Sequence, residues 1–422
     1  MIAAGRVRKR APRIHTCAPV GCEFVIAPVF HDCNQRRMTL GQSLYPIDMA
    51  RLIALDMPAS KMFVDLVQRT WSNGDAVLPI DQRLPTAGKK LLLDAMKPSE
   101  VIDASFSSSS LPNGLSVQDG DALVIASSGS TGSPKGIIHT HSSLLASAQA
   151  SASRLQLSAI DHWLVCIPVS HVGGFSVISR ALHTGAALTL HQTFDAASVQ
   201  ESARNGVTHT SLVPTALSRI DPSLFRNILL GGSSAPANLP SNVITTYGMT
   251  ETGGGVVYNR MPLEHVEVKI LQGEIHLRCP MLMRAYRNDQ SFSLNDEWYA
   301  TGDMGELSED GKLSVYGRRT DIIITGGENV WPAVVENSIA SHPLINQVVV
   351  RGTPDATWGQ RVVAYVVLKE SAATSDAILL SDLRERVKQT LPAFCAPQQV
   401  VVLSQIPRTS LGKVDVQALP SA

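Results

Sequence analysis

The chain has 422 residues, 44% of them hydrophobic, and 36 Lys+Arg balance 36 Asp+Glu for a formal net charge of zero. That length predicts two or more packed units. The balance excludes a global basic field for nucleic acid or anionic membrane, so any phosphate site has to be built locally by loops. Six cysteines are too sparse for a disulfide framework, and no run of about 18 apolar residues marks a spanning helix. A reduced, cytoplasmic compartment is expected.

Residues 1–37 carry Arg6, Arg8, Lys9, Arg10, Arg13, Arg36 and Arg37 without a hydrophobic period. They read as a disordered arm, or as an over-extended start with Met38 as the true first residue. Cys17, Cys22 and Cys33, with His15 and His31, match no standard zinc spacing. An amphipathic helix is predicted over 61–70, then an apolar strand over 76–80 and a turn at 81–85. The Ser/Pro/Gly-rich stretch 105–114 reads as a linker. A strand over 122–126, a Gly/Ser/Thr loop over 127–136 and a helix near 142–154 follow.

Strand-like runs recur at 163–167, 187–190, 210–213, 227–230 and 242–246, with helical stretches such as 196–205 between them. This alternation predicts a layered α/β domain with largely parallel sheets. From about residue 264 short alternating strands (266–271, 273–278, 312–316) predict a β-rich subdomain. Beyond 317 the pattern changes again: strands at 322–324, 347–351, 362–368 and 399–403, with helices at 333–341 and 381–391. That is a compact α+β module of a size that folds by itself. The expected division is thus an arm (1–37), a large domain (38–317) and a small domain (318–422).

The run SSGSTGSPKG at 127–136 carries the clearest chemistry. Glycines let backbone approach an anion, while hydroxyls and N–H groups bond its oxygens. Ser128, Gly129, Ser130, Thr131 and Gly132 are the candidate phosphate ligands, and Lys135 adds a charge. The spacing is not that of a Walker A loop. Further motifs follow: PVSHVGG at 168–174, Gly231 and Gly232 ahead of Ala235 and Pro236, YGMTET at 247–252, YATGD at 299–303, Gly317–Arg318, GGEN at 326–329, and PRTSLGK at 407–413.

In this order these segments resemble the signatures of the adenylate-forming superfamily, which includes acyl-CoA ligases, luciferases and non-ribosomal adenylation domains. They span about residues 75–415. The resemblance implies a large domain plus a mobile C-terminal domain, and two steps using ATP, Mg²⁺ and coenzyme A. A carboxylic acid becomes its acyl-AMP with release of pyrophosphate, and the acyl group then passes to a thiol.

The resemblance also implies roles. Tyr247 stacks on adenine. Gly232, Ser233, Gly248 and Thr250 line the nucleotide, and Glu251 holds the metal, for which one or two carboxylates plus phosphate oxygens suffice. Asp303 accepts the ribose hydroxyls and Arg318 offers its planar fork to ribose or phosphate. Lys413 stabilises charge on the α-phosphate during adenylation, and reaches it only when the small domain closes. Thr320 is the hinge, although Asp or Lys is usual there. Gly326 and Gly327 face the pantetheine arm. His171 gates the thiol path, and Gly173, Gly174, Gly253 and Gly254 leave space for the acyl group. Lys413, His171 and Arg318 are the catalytic candidates.

The stretch before residue 75 is shorter than in most members. GGENVWP at 326–332 and YGMTETGGGVVY at 247–258 are similar to o-succinylbenzoate–CoA ligases, with other aromatic or medium-chain acids left open. Alternatives are transfer to an acyl carrier protein and a non-catalytic nucleotide-binding regulator. A homodimer is compatible with the reading, whereas nucleic acid and stable membrane insertion are not expected.

Overall fold

The computed structural model describes residues 23–25, 49–128, 134–233, 235–236, 238–287, 297–369, 376–408 and 414–421. Two sheets with parallel centres form the bulk of it. In the first, Asp121–Ser128, Ala76–Pro79, Leu52–Asp56 and Glu100–Asp103 run parallel in that order. Pro134–Thr140 and Ala285–Tyr286 extend one side antiparallel, and Ser108–Ser110 the other.

In the second, Ala187–Leu190, His162–Val165, His209–Leu212, Asn227–Leu230 and Val243–Met249 are parallel, after which Gly254–Tyr258 turns back. Within the stretch 1–37, Glu23–Val25 pairs antiparallel with Ala187–Leu190.

Helices cover these sheets because their apolar residues fall on one stripe. Lys61–Ser72 buries Phe63, Val64, Val67 and Trp71, and starts where the Ser60 side chain accepts from the Phe63 amide. Trp71 also donates its indole N–H to the Ala122 carbonyl at 2.7 Å. His141–Leu155 starts at a reciprocal cap between Thr140 and Ser143. Val172–Thr184 is buried from Gly174 through Leu182, and packs against His141–Leu155 and strands of the second sheet. One apolar core, including Phe63, Trp163, Phe175 and Tyr258, joins helices and sheets; full burial of each such side chain contributes about 2 kcal/mol.

Glu267–Leu271, Glu274–Arg278, Tyr299–Leu307 and Leu313–Arg318 make a four-stranded antiparallel sheet, the expected β-rich part. The C-terminal residues have their own core, with Ile323, Val335, Val350, Val362, Leu379 and Leu383, between a five-stranded sheet and helices Pro332–Ala340 and Asp376–Lys388. No helix among the described residues is long and apolar enough to cross a membrane.

Two local expectations change. The Ser-rich stretch 105–114 contains an edge strand, Ser108–Ser110, because small polar residues can pair backbone without needing a core. A strand, Pro134–Thr140, stands between Asp121–Ser128 and the helix expected after the Gly/Ser/Thr stretch. Pro134–Thr140 pairs back along Asp121–Ser128, with Gly136–His139 buried in succession, and the helix begins only at His141. Asp303 lies inside Tyr299–Leu307, where this strand shifts register against Glu274–Arg278 and Gly302 takes φ 72°.

Candidate active site

The carboxyl end of Val243–Met249 carries Tyr247 and Gly248, followed by a single 3₁₀ turn, Thr250–Thr252, with Glu251 half-buried at its centre. An added Cβ on Gly248 would lie 2.1 Å from the Gly254 carbonyl oxygen, so only glycine lets the two strands close here. Two hydrogen-bonded groups surround this end.

In one, the Tyr247 hydroxyl donates to Asp303 Oδ2 at 2.9 Å, and Arg318 Nε meets Asp303 Oδ1 at 2.8 Å. Asp303 and Arg318 are direct cross-strand partners, which fixes the ion pair by register. Burial pushes the Asp303 carboxyl up, against the opposing pull of Arg318 and Tyr247. Burial likewise raises Tyr247 above the ordinary phenol range, so it remains a donor.

In the other, the Tyr286 hydroxyl donates to Glu251 Oε1 at 3.0 Å and lies 3.3 Å from the Tyr299 hydroxyl. Lys135 Nζ sits 5.3 Å from the Tyr286 ring centroid, so one phenol touches both the phosphate-loop lysine and the candidate metal carboxylate. Burial, with Glu251 adding to it, pushes Tyr286 up to about 12. Glu251 Oε2 has no hydrogen-bond partner among the described residues. A single carboxylate with one oxygen already oriented suits Mg²⁺, which keeps its waters and completes its shell with phosphate oxygens.

His171 caps Val172–Thr184 at its N-terminus. Arg83 Nη2 lies 2.7 Å from His171 Nε2, and since guanidinium only donates, that nitrogen is the acceptor and the proton is on Nδ1. Asp81 holds Arg83 through two bonds of 2.9 and 2.7 Å. Although burial opposes its charge, the hydrogen bonds and charge of Arg83 hold Asp81 below the usual carboxylate range.

The candidate acyl-pocket glycines divide. At Gly174 an added Cβ would fall 2.3 Å from the Pro168 carbonyl oxygen, so its missing side chain serves helix packing rather than open space. Gly173, Gly253 and Gly254 face side chains at 3.3 to 3.6 Å: Ile167, His139 and Ser176.

Ser176 leads to a residue that sequence reading passes over. Arg180 is only 5% exposed, donates to Ser176 Oγ at 2.9 Å, stands 3.5 Å from Ser211 Oγ, and lies 5.1 Å from the Trp163 ring centroid. No carboxylate pairs with it among the described residues. Burial lowers its pKa, against a favourable contribution from Tyr258. A lone formal charge in the run VGGFSVISRALHT was the available signal. Tyr286, equally unforeseen, has no such signal.

Gly232 (φ 87°) and exposed Ser233 follow Asn227–Leu230. Thr320 lies in the exposed 3₁₀ turn Arg319–Asp321, beside an Arg319–Glu274 ion pair of 3.1 Å. Gly326 and Gly327 form the two-residue hairpin between Ile323–Thr325 and Glu328–Val330, with the Trp358 ring under Gly326. Gly129, Ser130, Thr131, Gly132, Lys413 and the Ser128 side chain lie outside the described residues.

The AMP-binding enzyme family model matches residues 45–286, and the AMP-binding enzyme C-terminal domain matches 334–413. The chain belongs to the AMP-binding enzyme family. It is 33% identical over 335 residues to the 2-succinylbenzoate–CoA ligase of Bacillus licheniformis, covering 70% of this chain and 69% of that one. It is also 33% identical over 395 residues to a probable 2-succinylbenzoate–CoA ligase of Mycobacterium tuberculosis, covering 87% and 97%.

Among solved structures, o-succinylbenzoate coenzyme A synthetase of Bacillus subtilis with its acyl-adenylate intermediate superposes with a TM-score of 0.76 at 27% identity, covering 89% of each chain. The same synthetase with ATP and magnesium gives 0.77 at 28%, covering 88% and 90%. The AMP-binding enzyme described here is therefore an ATP-dependent acid–thiol ligase of the adenylate-forming fold.

Proposed function

We propose that this enzyme is a 2-succinylbenzoate–CoA ligase. One carboxylate of the acid attacks the α-phosphorus of ATP, an O–P bond forms and pyrophosphate leaves; the coenzyme A thiol then attacks the acyl carbon and AMP leaves. The observation that carries the substrate is Arg180. A buried guanidinium with only neutral partners is costly, and an acid with two carboxylates leaves one to meet it after the other is activated. Ser176 links Arg180 to the Gly173 and Gly254 side of the pocket: its hydroxyl donates to the Gly173 carbonyl at 3.1 Å. The names of the relatives agree with this chemistry.

In this reading Tyr247 lies under adenine, Asp303 and Arg318 hold ribose, and Ser128, Gly129, Ser130, Thr131 and Gly132, with Lys135 and Thr250, take the phosphates. Glu251 would hold Mg²⁺, which when bound neutralises phosphate charge. Lys413 acts on the α-phosphate, and the module beyond Thr320 swings so that the Gly326–Gly327 hairpin guides pantetheine past His171. Coenzyme A is the acceptor, and the chain works in the cytoplasm.

The test is a panel of mono- and dicarboxylic acids with ATP, Mg²⁺ and coenzyme A, read by AMP and pyrophosphate release. The highest kcat/KM is expected for 2-succinylbenzoate. A clear preference for a monocarboxylate would overturn the substrate, and turnover only with an acyl carrier protein would replace the acceptor.

A further inference from the structure

His139 lies on strand Pro134–Thr140, four residues after Lys135 and on the same face of the strand. It is fully buried. Its Nε2 is 2.7 Å from the carbonyl oxygen of Thr250, and because a carbonyl only accepts, Nε2 carries the proton. Its Nδ1 is 3.4 Å from Ser143 Oγ, and an added Cβ on Gly253 would lie 3.5 Å from its ring. The next carbonyl, that of Glu251, accepts from the Met283 amide at 2.7 Å. The carbonyls of Thr250 and Glu251 are therefore both tied to other segments, that of Thr250 by a side chain from the strand that bears Lys135, in addition to its bond from the Gly253 amide at 3.1 Å.

We infer that His139 is a positioning residue for the metal–phosphate site: its Nε2–H pins the Thr250 carbonyl, so the Thr250 hydroxyl and Glu251 carboxylate keep a fixed place relative to Lys135. The inference rests on reading Glu251 as the Mg²⁺ carboxylate. An apolar side chain of similar size would fill the space but leave the Thr250 carbonyl with only its bond from the Gly253 amide inside the turn, at 3.1 Å, so nothing would tie that carbonyl to strand Pro134–Thr140. A histidine that only fills the core would be replaceable by such a side chain without any effect specific to the metal.

The test compares His139→Leu with His139→Gln, whose side-chain amide offers a donor at a similar reach, and uses Glu251→Gln as reference. ATP–pyrophosphate exchange is measured against free Mg²⁺ concentration, and the conversion of supplied acyl-AMP by coenzyme A is measured separately. Loss of this hydrogen bond between segments predicts that His139→Leu raises the half-saturating Mg²⁺ and the KM for Mg·ATP about tenfold. The second half-reaction should change far less, and His139→Gln should recover most of the loss. If Glu251→Gln shifts the Mg²⁺ curve while His139→Leu does not, the positioning role is wrong. It is equally wrong if both His139 variants lose both half-reactions alike. If Glu251→Gln itself leaves the curve in place, the metal reading beneath the inference falls with it. Should His139→Leu not fold, His139→Asn, whose amide is too short to reach, takes its place with the same expectations.

Discussion

Arg180→Met separates function from stability because the structure gives the two effects different sources. In the free protein, the substitution removes a 2.9 Å hydrogen bond to Ser176 and a stacked contact with Trp163 at 5.1 Å. The latter is worth about 2 kcal/mol for a desolvated cation. Against this stands the cost of holding a charge away from water without a carboxylate, several kcal/mol per ion. The two roughly cancel, so the folding stability of the variant should stay level or rise by about 1 kcal/mol. Catalysis is different. Removing one partner of a buried charge pair costs about 2–5 kcal/mol, which is roughly a 30- to 5,000-fold loss in kcat/KM for the dicarboxylate. An analogue with the second carboxylate replaced by hydrogen should lose little. The assay is AMP release with both acids, beside urea denaturation of both proteins. An equal loss for the two acids, or a stability drop of more than about 2 kcal/mol, would show Arg180 to be a structural residue and refute the reasoning.

Three other outcomes are expected. Lys413→Ala should abolish ATP–pyrophosphate exchange while sparing the reaction of supplied acyl-AMP with coenzyme A; equal loss of both would contradict the division of labour. Burial pulls His209 down to about 4 from its ordinary 6.5, with Asp161 opposing and Arg226 assisting. The unfolded chain therefore binds the extra proton first, and stability present at neutral pH is lost as pH falls through this window. By pH 5 the loss is about 2 kcal/mol, and denaturation curves for the parent and His209→Gln should differ in slope between pH 7 and 5. Gly174→Ala, whose Cβ would meet the Pro168 carbonyl oxygen at 2.3 Å, should destabilise by about 1–3 kcal/mol or more, visible as a lower urea midpoint with an unchanged m-value.

How much of this was legible depended on whether a residue acts through its own chemistry or through its neighbours. Parallel strands such as Ala187–Leu190 and Asn227–Leu230 are legible to the residue, since mostly apolar runs of four residues between turn residues are too short for a helix. Pro134–Thr140 is not legible as a strand because its buried residues, Gly136–His139, are consecutive rather than alternating, and what makes it a strand is pairing with Asp121–Ser128. Motifs point to Tyr247, Asp303 and Arg318 as ligands one at a time. That they bind one another follows only from the register that sets Asp303 opposite Arg318. Arg83 and Tyr286 were invisible for the same reason: each matters through a partner 88 or 35 residues away.

Those mutual bonds bear on how ATP is met. The carboxylates that would face ribose and metal each accept at least one hydrogen bond from a phenol on a different strand. A phenol is neutral at physiological pH and so fixes a carboxylate's direction without cancelling its charge, whereas a lysine in the same place would do both. Asp303 and Glu251 are thus oriented in advance by hydroxyls that carry no charge of their own, and Asp303 in addition meets the Arg318 guanidinium at 2.8 Å. The positive counterpart is set differently. Arg318, half exposed, spends one arm on Asp303 and another on the Thr301 carbonyl at 2.9 Å. It stands two residues before Thr320. A rotation of the C-terminal module about Thr320 would therefore pull directly on the residue that closes the ribose carboxylate. Nucleotide contact and domain position would then be coupled through two peptide bonds, with no need of a longer path.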